Sequence, residues 1–288
     1  MSLARASCDR SRPVLCPAMT SDSTLLDRYL TRVDIDAGPP SLLLLNQIVK
    51  RHLELFPFAS VGPQLGDPLP LDPESLFDRI VVRRRGGYCF EQNGLMFELL
   101  RQLGFEVTVV LARVLHDPAS HPPLTHRFTM VDLDHERFLA DVGFGATCPT
   151  SAVRFDPSNP GEDAYRIVEH ERGEYHLEFE RAGDYVSLYR FDDVRYGAAD
   201  CELGHFYSHR HPDAAFVNNL VASRILDGEV RSLRNLELRI SGDGGDRQIE
   251  VTDGTHLHRL LAEVFDIDVG RAEAELLFGQ AAERAASD

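Results

Sequence analysis

Three observations predict an α+β chain built in three successive parts. They are helical periodicity up to Gly104, a switch to strand periodicity at Phe105, and intermixed helix and strand signals in the last third. Leu25 to Tyr29 begins the helical part. Ser41, after Pro39-Pro40, has the character of an N-cap, and Leu44, Leu45, Ile48, His52 and Leu55 then recur at helical spacing until Pro57. Asp72-Pro73-Glu74 opens a further helix, since Pro is tolerated in a first turn, and Leu76, Phe77, Ile80 and Val81 form its inward face. The last helix of this part carries Leu95, Met96, Leu99, Leu100 and Leu103 and stops at Gly104.

From there Phe105, Val107 and Val109 alternate with Glu106, Thr108 and Val110, the period of a strand. Arg127 to Leu133, Arg137 to Val142, His176 to Phe179 and Tyr185 to Phe191 continue the pattern across charged or Gly-bearing turns such as Ala182-Gly183-Asp184. An antiparallel sheet or small barrel follows from that order. The terminal part reads as a helix near Ala215 to Leu226, strands at Leu236 to Ile240 and Gln248 to Val251, and a helix bearing Leu257, Leu260, Leu261, Val264 and Phe265. Gly242-Asp243-Gly244-Gly245-Asp246 lacks the lysine of a phosphate loop and sits between two strands, so it reads as a hairpin turn.

Composition narrows the function classes. The 288 residues are 43% hydrophobic and 26% charged, the balance of a folded globular chain. Thirty Lys plus Arg against 46 Asp plus Glu leave a formal charge of -16, which repels nucleic acid and anionic membrane surfaces. The longest Leu run, Leu42 to Leu45, falls far short of the roughly 20 apolar residues of a membrane span. No apolar secretory segment follows Arg5, Arg10 and Arg12, so a cytoplasmic location is expected. Residues 1–18 are Arg, Ser and Pro rich without periodicity. They are expected to form a disordered extension, with translation starting at Met19. Cys8, Cys16, Cys89, Cys148 and Cys201 form no C-x-x-C pair, and their odd number argues for free thiols.

The segment from Arg83 to Asn93 places Cys89 after a basic, double-glycine turn at the start of an amphipathic helix. Taken alone, a single cysteine is more often a packed structural thiol. A helix N-terminus and nearby cations, however, lower the ordinary thiol pKa of about 8.5 and favour the nucleophilic thiolate. Such a nucleophile needs a base and a group to orient it. His126 and Asp141 lie on consecutive strands joined at Asp134-His135. If Leu133 pairs with Glu136, Phe128 opposes Asp141, and His126 shares the face of Phe128. A slip of one residue would part them. His205, His209 and His211, near Cys201, lack a second ligand pair at zinc spacing and read as a solvated loop, so no metal is expected.

These residues resemble the arylamine N-acetyltransferase family. Arg85-Gly86-Gly87-Tyr88-Cys89-Phe90-Glu91-Gln92-Asn93 is similar to its nucleophile motif, Thr125-His126 to its base and Asp141-Val142-Gly143-Phe144-Gly145 to its acid motif. The likeness runs from about Leu25 to Val269 and includes His52 to Phe58 and Tyr207 to Arg224. It implies a helical bundle at residues 19–104, an antiparallel β-barrel at 105–212 and an α/β lid at 213–288, around a cysteine-protease-like Cys-His-Asp core. It also implies ping-pong transfer of acetyl from acetyl-CoA to an arylamine or hydrazine through a thioester on Cys89. No cofactor is permanently bound, and Phe58, Thr125, Phe144 and Tyr207 line the substrate cavity.

One departure stands out. Ala59-Ser60 replaces the family's usual Glu-Asn, which leaves Arg85 without its expected carboxylate, so that it pairs with Glu91 or stays free for an anion. Ala59→Glu is on that view expected to stabilise the chain. The same departure keeps open a macrolactam-forming amide synthase of the family, beside a papain- or transglutaminase-like hydrolase and a non-catalytic binding protein.

Overall fold

The computed structural model describes residues 24–115 and 121–286. The expected extension at 1–18 and the Met19 start therefore lie outside the described residues, as do Cys8 and Cys16. Helix α1 (Leu25–Val33) is capped by the Thr24 hydroxyl, which accepts from Asp27 N–H. In α2 (Leu42–Leu55) the expected cap is present, Ser41 Oγ accepting from Leu44 N–H at 3.2 Å. Strand β1 (Phe58–Ala59), α3 (Val61–Leu65) and α4 (Pro73–Phe77) follow, and α4 widens into a π-helical turn over Asp78–Val82. Helix α5 (Cys89–Gln102) ends at Gly104, whose φ of +86° suits a residue without Cβ. Tyr29, Leu45, Ile48, Leu95 and Leu99 are wholly buried where α1, α2, α4 and α5 meet. Each such side chain contributes roughly 1.5–3 kcal/mol by leaving water.

The second part is a seven-stranded antiparallel sheet in the order β5-β4-β3-β2-β8-β7-β6. Its strands are β2 (Glu106–Val114), β3 (His126–Leu133), β4 (Glu136–Ala140), β5 (Val153–Arg154), β6 (Tyr165–Glu171), β7 (Glu174–Arg181) and β8 (Asp184–Asp192). Its edges β5 and β6 approach one another, so the sheet is a nearly closed barrel filled by Val110, Phe128, Met130, Leu139, Ile167 and Leu177. Strand β6 escapes a reading by alternation because only Ile167 is fully buried and its second half, Glu169 to Glu171, is polar and faces water. The turn between β3 and β4 holds only Asp134 and His135, with φ of 51° and 68°, the primed geometry that continues strand twist. That turn pairs Leu133 with Glu136 and, four rungs on, Thr129 with Ala140. This is the register read from the sequence, which carried one residue past the ladder sets Phe128 against Asp141.

Helix α6 (Ala198–Arg210) follows the barrel strands, and the last part contains α7 (Ala215–Asn218), β9 (Val221–Leu226), β10 (Glu229–Arg234), β11 (Glu237–Gly242), β12 (Arg247–Glu250), α8 (Gly254–Phe265) and α9 (Arg271–Ala285). Two expectations are corrected here. The helix expected over Ala215–Leu226 persists only to Asn218, because β9 pairs with β1 on one side and β10 on the other. Tertiary pairing overrides the local preference. The histidine loop is helix α6, whose inward positions are Cys201, Gly204, His205 and Ser208, a set too small and polar to read as an apolar stripe. Strands β1-β9-β10-β11-β12 form a five-stranded sheet covered by α8 and α9 around Leu220, Leu233, Leu238, Leu257 and Leu277. We propose boundaries after Gly104 and Pro212 for the three domains, with β1 reaching from the first into the sheet of the third. Among the described residues, no helix is long and apolar enough to cross a membrane.

Candidate active site

Cys89 is the first residue of α5, and its approach is fixed by main-chain bonds. Ala59 N–H donates to Gly87 O at 2.9 Å, and the Gln92 amide donates to Pro57 O at 2.8 Å, so the double-glycine turn lies along β1. Gly86 has φ +66°, and a side chain there would begin 2.7 Å from Ala59 Cβ, which is why the turn needs glycine. Glu91 closes the helix start by accepting from Tyr88 N–H at 3.2 Å. The Cys89 thiol donates to Thr125 O, 3.4 Å away, and so points at the strand entrance that carries His126.

The β3–β4 register brings His126 Nε2 to 2.7 Å from Asp141 Oδ2. Both residues are about 1% exposed. Asp141 accepts three further bonds: Asn93 Nδ2 at 2.8 Å, Gly143 N–H at 2.8 Å and the Tyr189 hydroxyl at 3.0 Å. Asn93, one helical turn beyond Cys89, also donates to Arg127 O at 2.6 Å and accepts from Val142 N–H at 3.0 Å. A single amide therefore ties the helix that starts at Cys89 to both the strand that starts at His126 and the turn that follows Asp141. Gly143 completes the closure, because a Cβ there would stand 2.8 Å from Cys89 Cα. Since Asp141 is an acceptor, His126 carries its proton on Nε2, which leaves Nδ1 free to take one.

Burial alone would raise the Asp141 pKa, but the charge of His126 and the bonds from His126, Asn93 and Gly143 hold it below the ordinary carboxylate range. Cys89 departs from the sequence expectation. Burial pushes its thiol up, the Asp141 charge adds to that, and the N–H groups of Phe90 and Arg127 oppose it. The arginines read as its cations are engaged elsewhere: Arg83 with Asp78 at 2.5 Å, Arg84 with Asp266 at 2.7 Å, and Arg85 with Glu273 at 2.7 Å. Ionising a sulfur so enclosed therefore needs a compensating positive charge nearby.

Cys89 and His126 open onto one cavity of about 710 Å³ whose wall also includes Phe58, Thr125, Phe144 and Tyr207. All four of the residues expected there from the sequence thus border the same cavity as Cys89 and His126, while Asp141 stands behind His126. Phe144 meets the His126 ring edge-on at 5.0 Å, and Phe216, which sequence reading missed, lies 5.6 Å from Phe58. Val114, Leu115, Val186 and Leu188 make much of the remaining wall apolar. Tyr189 was also missed, since a barrel tyrosine carries no local signal of its partner. Asn93 was legible only as part of the motif. Among the described residues, no group of three His, Cys, Asp or Glu side chains is arranged to hold a metal ion. His205 instead bonds Tyr88 Oη and Leu69 O.

The carboxylate expected for Arg85 comes from a distant part of the chain. Glu273 of α9 receives both Arg85 Nη atoms, at 2.7 and 2.9 Å, and Asp67 lies 3.6 Å away. Glu91 is not its partner, because it pairs with Arg79 at 2.8 Å. Ala59 sits 2% exposed in the apolar cluster under the terminal sheet. Ala59→Glu would thus bury a carboxylate whose cation is already taken, and the expected gain in stability becomes a loss.

An N-acetyltransferase family model matches residues 41–274. An arylamine N-acetyltransferase from Mycolicibacterium smegmatis is 34% identical over 256 residues, 85% of this chain and 92% of that one. One from Escherichia coli K12 is 33% identical over 258 residues, 86% and 91% of the two chains. Among solved structures, the enzyme from Salmonella typhimurium superposes with a TM-score of 0.84 at 32% identity, covering 89% of this chain and 98% of that one. The Mycobacterium marinum enzyme in complex with CoA gives 0.82 at 30%, covering 88% and 98%.

Proposed function

The chain belongs to the arylamine N-acetyltransferase family, whose members are acetyl-transferring enzymes, and from that membership we propose that it carries acetyl from acetyl-CoA to an arylamine or hydrazine through a thioester on Cys89. The observation that carries the proposal is the 2.7 Å bond between His126 and Asp141 at the cavity onto which Cys89 also opens.

In the first half-reaction the Cys89 proton passes to His126 as the sulfur attacks the acetyl carbonyl. The tetrahedral adduct collapses by breaking the bond to the CoA sulfur, which leaves with the proton from His126. In the second, the acceptor nitrogen attacks the Cys89 thioester and loses its proton to His126, and Cys89 is restored. Asp141 holds the Nε2–H tautomer throughout and offsets the charge on the imidazolium. The apolar wall keeps water from the thioester and suits a flat aromatic acceptor. The pairing of Arg85 with Glu273 supplies that arginine with a carboxylate despite the Ala59-Ser60 departure.

Mixing the protein with acetyl-CoA alone, then with an aniline or hydrazine, tests the reading. One acetyl group is expected on the Cys89 peptide without acceptor, with free CoA released continuously only once acceptor is added. Steady CoA release at the same rate without acceptor identifies a hydrolase and overturns the proposal.

A further inference from the structure

Helix α7 is about one turn long, and none of its own side chains is fully buried; the buried anchors are Ala214 before it and Leu220 after it. Yet this segment supplies Phe216 and Asn219 to the wall of the cavity onto which Cys89 opens. So short a helix makes few internal bonds, and its last carbonyls need partners from outside. Side chains of two other elements provide them. Gln64 of α3, 7% exposed, donates from Nε2 to Phe216 O at 2.7 Å and to Val217 O at 2.8 Å. Its Oε1 accepts from Arg284 Nη1 of α9 at 2.6 Å, and Arg284 Nη2 donates to Val217 O at 2.9 Å.

The far end of the segment is held separately. Ser60 Oγ donates to Asn219 O and accepts from Val221 N–H, both at 2.8 Å, while Asn235 donates its N–H to Leu220 O at 2.7 Å and accepts from Leu220 N–H at 3.0 Å. Asn218 Nδ2 and Asn219 Nδ2 bond back along the same stretch, to Pro212 O, Ala214 O and Ala215 O. Residues 219–221 are thus fixed by Ser60 and Asn235, whereas the turn that carries Phe216 is tied to the rest of the fold by Gln64 and Arg284. The Phe216 ring itself meets Phe58 at 5.6 Å and Tyr88 at 5.2 Å. Apolar contact is non-directional, so the depth of that ring in the cavity follows from where its backbone is held.

We propose that Gln64, braced by Arg284, is a positioning residue that sets acceptor specificity: by fixing the Phe216 and Val217 carbonyls it keeps the Phe216 ring where the ring of an arylamine packs against it, without touching substrate itself. An acceptor that has no ring gains nothing from that placement, so the effect favours arylamines over hydrazine. The proposal rests on the acyl-transfer reading for its substrates, but hydrogen exchange at α7 needs neither donor nor acceptor and tests the brace separately.

Gln64→Leu and Arg284→Met are compared with the wild-type chain in transfer from acetyl-CoA to aniline and to unsubstituted hydrazine. In a ping-pong scheme kcat/KM for the acceptor reports only the steps after the thioester forms. For aniline it is expected to fall about tenfold in Gln64→Leu and about threefold in Arg284→Met, while the values for hydrazine and for acetyl-CoA stay within about twofold. Exchange of the Val217, Asn218 and Asn219 amides, which bond back to Ala214 and Ala215, should quicken about tenfold in Gln64→Leu. Arg284→Lys, which keeps a donor, should lie close to wild type in both readouts. A merely structural Gln64 would lower the melting temperature and slow both acceptors alike. Equal losses for aniline and hydrazine in the variants that fold overturn the proposal, as do a loss that falls on acetyl-CoA instead, an aniline value that holds while α7 exchange quickens, and α7 exchange that stays unchanged in both variants. A wild-type chain that acetylates neither acceptor overturns the acyl-transfer reading, and the exchange result then decides the brace by itself.

Discussion

Two buried imidazoles in this molecule have nearly the same aromatic surroundings and different groups behind the ring. His126 is packed against Tyr189 and Phe144, with ring centroids 4.8 and 5.0 Å away. His205 is stacked on Tyr88 at 5.7 Å and lies 5.9 Å from Phe90. Each has one ring nitrogen fixed by an oxygen at 2.7 Å. For His126 that oxygen is the carboxylate of Asp141. For His205 it is a neutral carbonyl, and the other nitrogen accepts from a phenol, so burial pushes the pKa down to about 4. His52 repeats the neutral arrangement between Gln92 and Tyr29 and is likewise held at about 4. Burial and aromatic contact therefore do not make a histidine a base; on the proposed reading the charge of the group behind it does.

The contrast breaks most sharply at Asp141. Asp141→Asn keeps the shape but sets an amide against four donors, and acetyl transfer is expected to fall on the order of a thousandfold while the fold survives. A loss below tenfold in steady-state CoA release would erase the distinction between the two imidazoles. The pH dependence of stability comes next. His52 and His205 are neutral when folded but protonate below 6.5 when unfolded, so the unfolded chain binds more protons. Stability should hold above pH 6.5 and fall as pH drops toward 4, by roughly 3 kcal/mol for each histidine over the full window. Chemical unfolding at stepped pH reads this directly, and a flat profile contradicts the neutral assignment. His205→Leu is expected to cost roughly 1–3 kcal/mol by stranding Leu69 O and Tyr88 Oη. It should leave transfer by the folded enzyme within about threefold, since no proton of the reaction passes through it. The smallest effect sharpens the other side: Tyr189→Phe removes one of four bonds to Asp141 and should slow transfer about three- to tenfold without a change in KM for acceptor.

Much of the candidate site was legible because its parts are local. The two-residue turn at Asp134-His135 fixes the register by itself, and strand parity then decides that His126 and Asp141 share a face. The helix start at Cys89 and the glycines that precede it are equally short-range features. What escaped was supplied by distant segments: Tyr189 from β8, Glu273 from α9, and the second half of the expected Ala215–Leu226 helix, recruited into a sheet by β1 and β10. The rise of the Cys89 thiol belongs to the same class. Local charge suggested a lowered pKa, but only the folded chain shows those arginines occupied by Asp78, Asp266 and Glu273.

The short ladder joining Phe58 and Ala59 to Ser223 and Ala222 has a bearing on biosynthesis. A growing polypeptide leaves the ribosome from its N-terminus, so Cys89 is made well before the strand that flanks β1. Phe216, Asn219 and Val221, which wall the cavity, are also late products of translation. The sulfur is thus translated ahead of part of its shelter, and a ribosome stalled short of residue 216 would release a polypeptide whose Cys89 cavity lacks the wall formed by Phe216, Asn219 and Val221.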